Sequence, residues 1–176
     1  MELQLLHMIQ GLHNGVLDAV MILLSTLGNA GIIWIAVCLI LLIPKRTRKC
    51  GLTGLVAMLF SFCLGNLVIK NLVARERPCG VDPSVTLLIP YPSEYSFPSG
   101  HTLNGFTAAT VFFLYYKKAG IIAYIFAGLI AFSRMYLFVH YPTDILGGIV
   151  LGVFDGVFIY ALMSKIYIKY HKNNTI

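Results

Sequence analysis

Apolar residues in this chain fall in long unbroken runs rather than in short amphipathic stripes. From the C-terminal end, residues 144–164 form a glycine-rich apolar run, and 120–138, 102–116 and 52–73 form three more. The run 30–43 is shorter but uninterrupted. A helix needs about 20 predominantly apolar residues to cross a bilayer, and several runs approach that length. Strands of a membrane barrel alternate apolar and polar positions, and 120–132 and 145–157 do not. The expected fold class is all-α, a polytopic membrane helical bundle.

The first third of the chain supports two readings. Residues 3–27 are apolar but dotted with Gln4, His7, Gln10, His13, Asn14 and Asp18. Residues 17–43 are either one 27-residue span interrupted at Gly28–Asn29 or two helices turned by that pair, because Gly and Asn signal helix ends. The first reading gives five spans and the second six. Six is the working expectation, with the first helix partly interfacial or packed on the bundle. The N-terminus lacks the basic start and small-residue cleavage site of a signal peptide, so this stretch is expected to be retained.

Composition sharpens the picture. The 176 residues are 58% hydrophobic and 11% charged, with mean hydropathy +0.81; soluble domains carry about 25% charged residues. One transmembrane domain over 1–176 is expected. The four cysteines, Cys38, Cys50, Cys63 and Cys79, show neither zinc spacing nor a disulfide framework.

Charge position matters more than the net +6. No basic arm or face suggests nucleic acid. Lys45, Arg46, Arg48 and Lys49, then Lys117 and Lys118, then Lys165, Lys169 and Lys172 fall in alternate connections or after the last run. All nine therefore share a side, which the positive-inside rule makes cytoplasmic. Lys70, Arg75, Arg77 and Arg134 lie at the opposite, extracytoplasmic ends. They break the charge rule together and need another explanation.

That face also holds His101, His140, Asp144 and the pair Ser99–Gly100 at the start of an apolar run. The connection 75–98 holds five of the seven prolines, Pro78, Pro83, Pro90, Pro92 and Pro98. It reads as an ordered, non-helical and functional loop. Phosphoryl transfer needs electrostatic clamping of charge spread over phosphate oxygens. Lys and Arg supply it, as do free N–H groups at a helix start. One histidine can attack phosphorus and the other can protonate the leaving oxygen. A carboxylate four residues on can orient the first.

Lys70-x6-Arg77-Pro78, Pro98-Ser99-Gly100-His101 and Ser133-Arg134-x5-His140-x3-Asp144 resemble the three signature motifs of the type-2 phosphatidic acid phosphatase family. That family includes bacterial lipid phosphatases and vanadium-dependent haloperoxidases. The motifs cover 70–144, complete and in order. The resemblance implies that His140 is a nucleophile forming a phosphohistidine, Asp144 its orienting partner and His101 the general acid. It implies a phosphate cradle of Lys70, Arg77, Ser99, Gly100 and Arg134, with no metal and no cofactor. The implied partners are the bilayer and a lipid phosphate: undecaprenyl pyrophosphate, phosphatidylglycerophosphate or phosphatidic acid. The alternatives are haloperoxidase chemistry, which the apolar runs oppose, and a non-catalytic lipid-phosphate binder or transporter, which has no need of His140 with Asp144. Arg75, Glu76, Asp82 and Glu94 lie outside the signature and are expected to be solvated or locally paired. His7 and His13 are expected to be interfacial or packed. Asp155, mid-run, has no ready role.

Overall fold

The computed structural model describes residues 1–173, with side chains through 169. Its helices follow the apolar runs: α1 (Glu2–Gln10), α2 (Gly15–Gly28), α3 (Ile32–Leu42), α4 (Arg48–Ser61), α5 (Lys70–Val73), α6 (Pro78–Val81), α7 (Gly100–Tyr115), α8 (Lys117–Tyr136) and α9 (Pro142–Asn173). A 3-10 turn at Asn29–Gly31 joins α2 to α3. A π-helical segment, Phe62–Ile69, joins α4 to α5 without a gap. Joined helices counted once, and the one-turn α6 set aside, six helices remain, and no strand occurs among the described residues. Four stretches are long and apolar enough to cross a membrane: Gly15–Leu42, Arg48–Val81, Lys117–Tyr136 and Pro142–Lys169.

The shorter α7 is the axis of the bundle, and α8 and α9 pack most closely on it. Glycines set the α7–α9 distance. Gly148, Gly152 and Gly156 recur every fourth residue and so share one face of α9. A Cβ on Gly152 would lie 2.7 Å from the Leu103 carbonyl oxygen, and one on Gly148 would lie 3.0 Å from that of Ser99. Small residues at this spacing let helix backbones approach in an apolar solvent. The approach fixes the start of α9 beside the start of α7, where two of the three motifs lie.

The N-terminal third is one broken passage, not two spans. Glu2 accepts hydrogen bonds from Thr143 and Arg75 at the motif end of the bundle. At the far end, a Cβ on Gly51 would meet the backbone of Leu41 and Leu42. Between them the expected Gly28–Asn29 signal produces a break without a reversal: Ala30 has φ +50° and Gly31 φ +69°. Before the break α2 leans on α8; after it α3 packs on α4. The nine residues of α1 span about 14 Å, too short for a hydrocarbon core of about 30 Å. The six expected spans are therefore six helices, five of which run the length of the bundle. As expected of a packed first helix, Leu6 and Ile9 are buried against Tyr136, Phe138 and Val139.

The basic connections gather at the end opposite the motifs. Lys49 stacks over the Tyr167 ring at 5.1 Å, and the Tyr116 hydroxyl donates to the Arg46 carbonyl at 3.0 Å. Lys172, expected with this group, lies outside the residues described with side chains. Two carboxylates find local partners. Asp155 is fully buried and accepts from Ser61 at 2.6 Å, while Ser61 bonds Thr107 at 2.7 Å. Asp18 accepts from the Tyr136 hydroxyl at 2.6 Å.

Candidate active site

The chain reaches His140 through a left-handed helix end. The Val139 N–H bonds the Arg134 carbonyl at 3.2 Å and the Phe138 N–H bonds that of Met135 at 3.0 Å. This paired pattern closes a helix around a left-handed residue, usually Gly. Here it is Phe138, with φ +59°, fully buried. A bulky residue in that region is strained and persists only where its surroundings hold it. Two residues after His140, α9 begins at Pro142, a residue suited to the first helical position. Asp144, in that first turn, accepts from the Tyr141 N–H at 2.8 Å, and its carbonyl accepts from the Ser99 N–H at 3.2 Å. The starts of α7 and α9 are thus tied directly.

The hydrogen bonds around His140 fix its tautomer. Arg77 Nη1 lies 3.2 Å from His140 Nε2. A guanidinium can only donate, so Nε2 is the bare nitrogen and Nδ1 carries the proton. Nδ1 faces Asp144 Oδ2 at 3.4 Å. His140 is 2% exposed. Burial pushes its pKa from 6.5 down to about 3, with Arg77 and Arg134 pushing the same way and Asp144 opposing. At neutral pH the ring is uncharged, with its lone pair turned toward the cations.

Those cations line a cavity of about 730 Å³ whose wall includes Lys70, Arg77, Gly100, His101, Arg134 and His140. Six of the eight expected site residues thus meet at one space. Asp144 stands behind His140. Ser99 is buried outside the cavity wall, accepts from the Thr102 hydroxyl at 3.0 Å, and ties the starts of α7 and α9 through its N–H. The charged groups are held in place. Arg77 donates to the carbonyls of Glu94 at 2.6 Å and Val139 at 2.8 Å. Arg134 Nη1 donates to the Ser25 hydroxyl, while its Nε is buried without an acceptor among the described residues. His101 Nε2 lies 3.1 Å from the Ser25 carbonyl and 3.0 Å from Asn29 Oδ1, so Nε2 is the protonated nitrogen. Lys70 is 5% exposed and donates to Glu94 at 2.5 Å.

Two residues expected to be solvated or locally paired belong to the site instead. Arg75 Nη1 donates to Asp144 Oδ1 at 2.7 Å, its Nη2 donates to Glu2 at 2.7 Å, and it stacks on Tyr141 at 3.9 Å. Glu94 holds Lys70, and that hydrogen bond keeps the Glu94 carboxyl below its usual pKa. Ser96, Ser25 and Asn29 were not anticipated either; Ser96 donates to Asp144 Oδ2 at 2.5 Å. The available signal for Arg75 and Glu94 was charge at the end of the apolar runs opposite the basic connections. Ser96, Ser25 and Asn29 carry no charge and no motif. Asp82 bonds His7 at 2.8 Å in an exposed pair, as expected of residues outside the signature. His13 is packed, its ring stacked on Tyr136 at 4.3 Å.

With this geometry in place, relatives can be compared. Residues 51–168 match the PAP2 superfamily. The chain belongs to that superfamily. It is 39% identical over 137 residues to an undecaprenyl-diphosphatase of Sulfolobus acidocaldarius, covering 77% of this chain and 66% of the relative. This chain thus spans just under two thirds of that relative's length. It is 30% identical over 162 residues to an undecaprenyl-diphosphatase of Bacillus subtilis, covering 89% and 81%. Among solved structures, a transmembrane PAP2-type phosphatidylglycerolphosphate phosphatase from Bacillus subtilis superposes with TM-score 0.76 at 26% identity, over 94% of this chain and 85% of that one.

Proposed function

We propose that this PAP2 chain is a multi-pass membrane lipid phosphatase that hydrolyses a phosphomonoester or diphosphate of a lipid through a phosphohistidine. The observation that carries this is His140: buried, uncharged, its proton directed to Asp144 and its bare Nε2 beside Arg77 in a cation-lined cavity. The Nε2 lone pair forms a bond to phosphorus as the P–O bond to the leaving group breaks. Lys70, Arg77, Arg134 and the N–H groups at the start of α7 hold the phosphoryl oxygens, whose charge must be stabilised in the transition state. His101, taking up a second proton on Nδ1 when the anionic substrate binds, supplies a proton to the departing oxygen. Water then attacks the phosphohistidine, releasing phosphate and restoring His140. A binder needs the cations, but a buried histidine poised between a carboxylate and an arginine serves turnover. Undecaprenyl diphosphate, phosphatidylglycerophosphate and phosphatidic acid are the candidate substrates. The basic loops at the opposite end support an extracytoplasmic position for the cavity.

Phosphate release from these lipids in detergent, with EDTA present, tests the reading. The purified protein should turn over at least one of them, and His140→Ala should abolish release. Protein that binds lipid phosphate yet releases none would overturn the enzyme reading. Undiminished turnover by His140→Ala would overturn the nucleophile.

A further inference from the structure

The half of the bundle opposite the cation-lined cavity carries a second recess. Past the break at Asn29–Gly31, α3 packs on α4 and stands off from α8. Between α3 and α8, over Phe112 of α7, lies a groove of about 280 Å³ that presents only apolar atoms. Ile33, Val37 and Leu41 form one wall, and Ile122 and Phe126 the other. Ile122 is 69% exposed, so the groove opens sideways, toward lipid. Its inner end closes where the Trp34 and Phe126 rings meet edge to face, 5.9 Å between centroids. Its outer end reaches Tyr116 and Ala119 at the start of α8. From Tyr116 to Phe126 the helix advances about 15 Å. That is half of a hydrocarbon core of about 30 Å, so the groove has the depth of one leaflet.

The outer end of the groove is basic and lacks acids. Lys117 and Lys118 occupy the first turn of α8, where the helix dipole favours anions and disfavours cations. No side chain caps that helix start, so its free N–H groups suit an anion. Tyr116 ties Arg46 to the same place, its hydroxyl donating to the Arg46 carbonyl at 3.0 Å. No Asp or Glu occurs in 43–50, in 116–120 or after Asp155. We propose that this groove binds one chain of an anionic phospholipid from the leaflet opposite the cation-lined cavity, with the headgroup phosphate at Lys117, Lys118 and the start of α8. A hydrocarbon chain matches the apolar walls and the one-leaflet depth. The phosphate supplies the negative charge that this end lacks, and each Lys or Arg near a membrane surface attracts anionic lipid by about 1 kcal/mol. A second copy of the chain is a poorer occupant. Lying parallel in the same bilayer, it would bring its own basic end against this one.

Trp34 is the only tryptophan of the chain and stands on the groove wall, so its fluorescence reports the occupant. The test uses the protein in phosphatidylcholine vesicles, to which phosphatidylglycerol or phosphatidylcholine with dibrominated chains is added as quencher. Brominated phosphatidylglycerol should quench saturably, at a mole fraction at least about tenfold below that of brominated phosphatidylcholine. Lys117→Gln combined with Lys118→Gln should bring the two lipids within about twofold of each other. Ala119→Phe, at an exposed position on the groove wall, should remove the saturable quenching. Equal quenching by the two lipids in wild type would mean bulk lipid contact only and would overturn the proposal. A preference that survives the lysine changes, or saturable quenching retained by Ala119→Phe, would do the same. So would displacement by inorganic phosphate, which would place the lipid in the cation-lined cavity. Quenching that weakens as protein density rises would give the groove to a second copy instead. The readout needs no turnover, so it succeeds or fails separately from the phosphatase reading.

Discussion

The neighbours of His140 fix where its proton sits, and this has a consequence for stability. Its folded pKa of about 3 lies below the ordinary 6.5, so folding favours the neutral ring. That contribution is complete above pH 6.5 and is lost as pH falls toward 3, because the unfolded chain takes up the proton first. His140→Asn should therefore flatten the fall of the thermal midpoint on acidification through that window. In a chain this size 1 kcal/mol corresponds to about 2–4 °C. An unchanged slope would mean that His140 is not held neutral. Arg75 is a positioning residue one step further out. It shares Asp144 with His140, Ser96 and the Tyr141 N–H. Hydrogen bonds to charged groups are worth about 1.5–3 kcal/mol, so Arg75→Ala should lower kcat about tenfold or more with little change in KM. Arg75→Lys should recover part of it. At this scale the signature residues were legible because phosphate chemistry demands their side chains. Arg75 was not, because it sits in a motif spacer, where only the fold shows that it turns back toward Asp144.

At the scale of elements, the geometry of the site depends on how closely α9 approaches α7. One helix starts beside His140 and Asp144, the other carries Gly100 and His101. The apolar runs announced both helices, and α9 was visibly rich in glycine. Which glycines face α7 could not be read, since nothing in the chain marks the facing side of an all-apolar helix. Gly152→Val should destabilise the fold by about 1–3 kcal/mol, the usual cost of overpacking, because its Cβ would press on the Leu103 carbonyl. It should also lower activity by separating the two histidines. Gly128→Ala is the control. Nothing lies within 4 Å of a Cβ there, and removing a helical glycine gains up to about 1 kcal/mol. Thermal unfolding in detergent and lipid phosphate turnover, measured on the same preparations, separate the two cases. Equal behaviour would mean that α9 does not rest on α7 through this face. The break at Asn29–Gly31 shows the opposite limit of legibility. Its position was marked by Gly28–Asn29, but its geometry was not. Left-handed angles at Ala30 and Gly31 divert α3 onto α4 without reversing the chain. The diverted turn is what brings Asn29 to His101.

Over the whole molecule, charge and connectivity make one arrangement. Among the residues described with side chains, eight Lys and Arg gather at one end, and the other four belong to the site or touch it at the other. That division was legible because it follows from positions along the chain. The number of passages was not, because a 28-residue apolar stretch, Gly15–Leu42, has the length for a tilted crossing and the punctuation of a hairpin. The contacts of Glu2 with Arg75 and Thr143 decide it: α1 must lie on the same face as the site. A hairpin at Gly28–Asn29 would instead put the N-terminus with Lys45. The two arrangements differ in a measurable way. Leu12 is 52% exposed in the turn between α1 and α2, and Ser84 is exposed in the loop before α7. An impermeant thiol reagent applied to intact cells should label Leu12→Cys and Ser84→Cys, and should label Lys45→Cys only after permeabilisation. Labelling of Leu12→Cys only after permeabilisation would restore the two-span reading. It would also detach Glu2 from Arg75, and with it the outermost support of Asp144. The topology experiment therefore also tests whether α1 belongs to the site's scaffold.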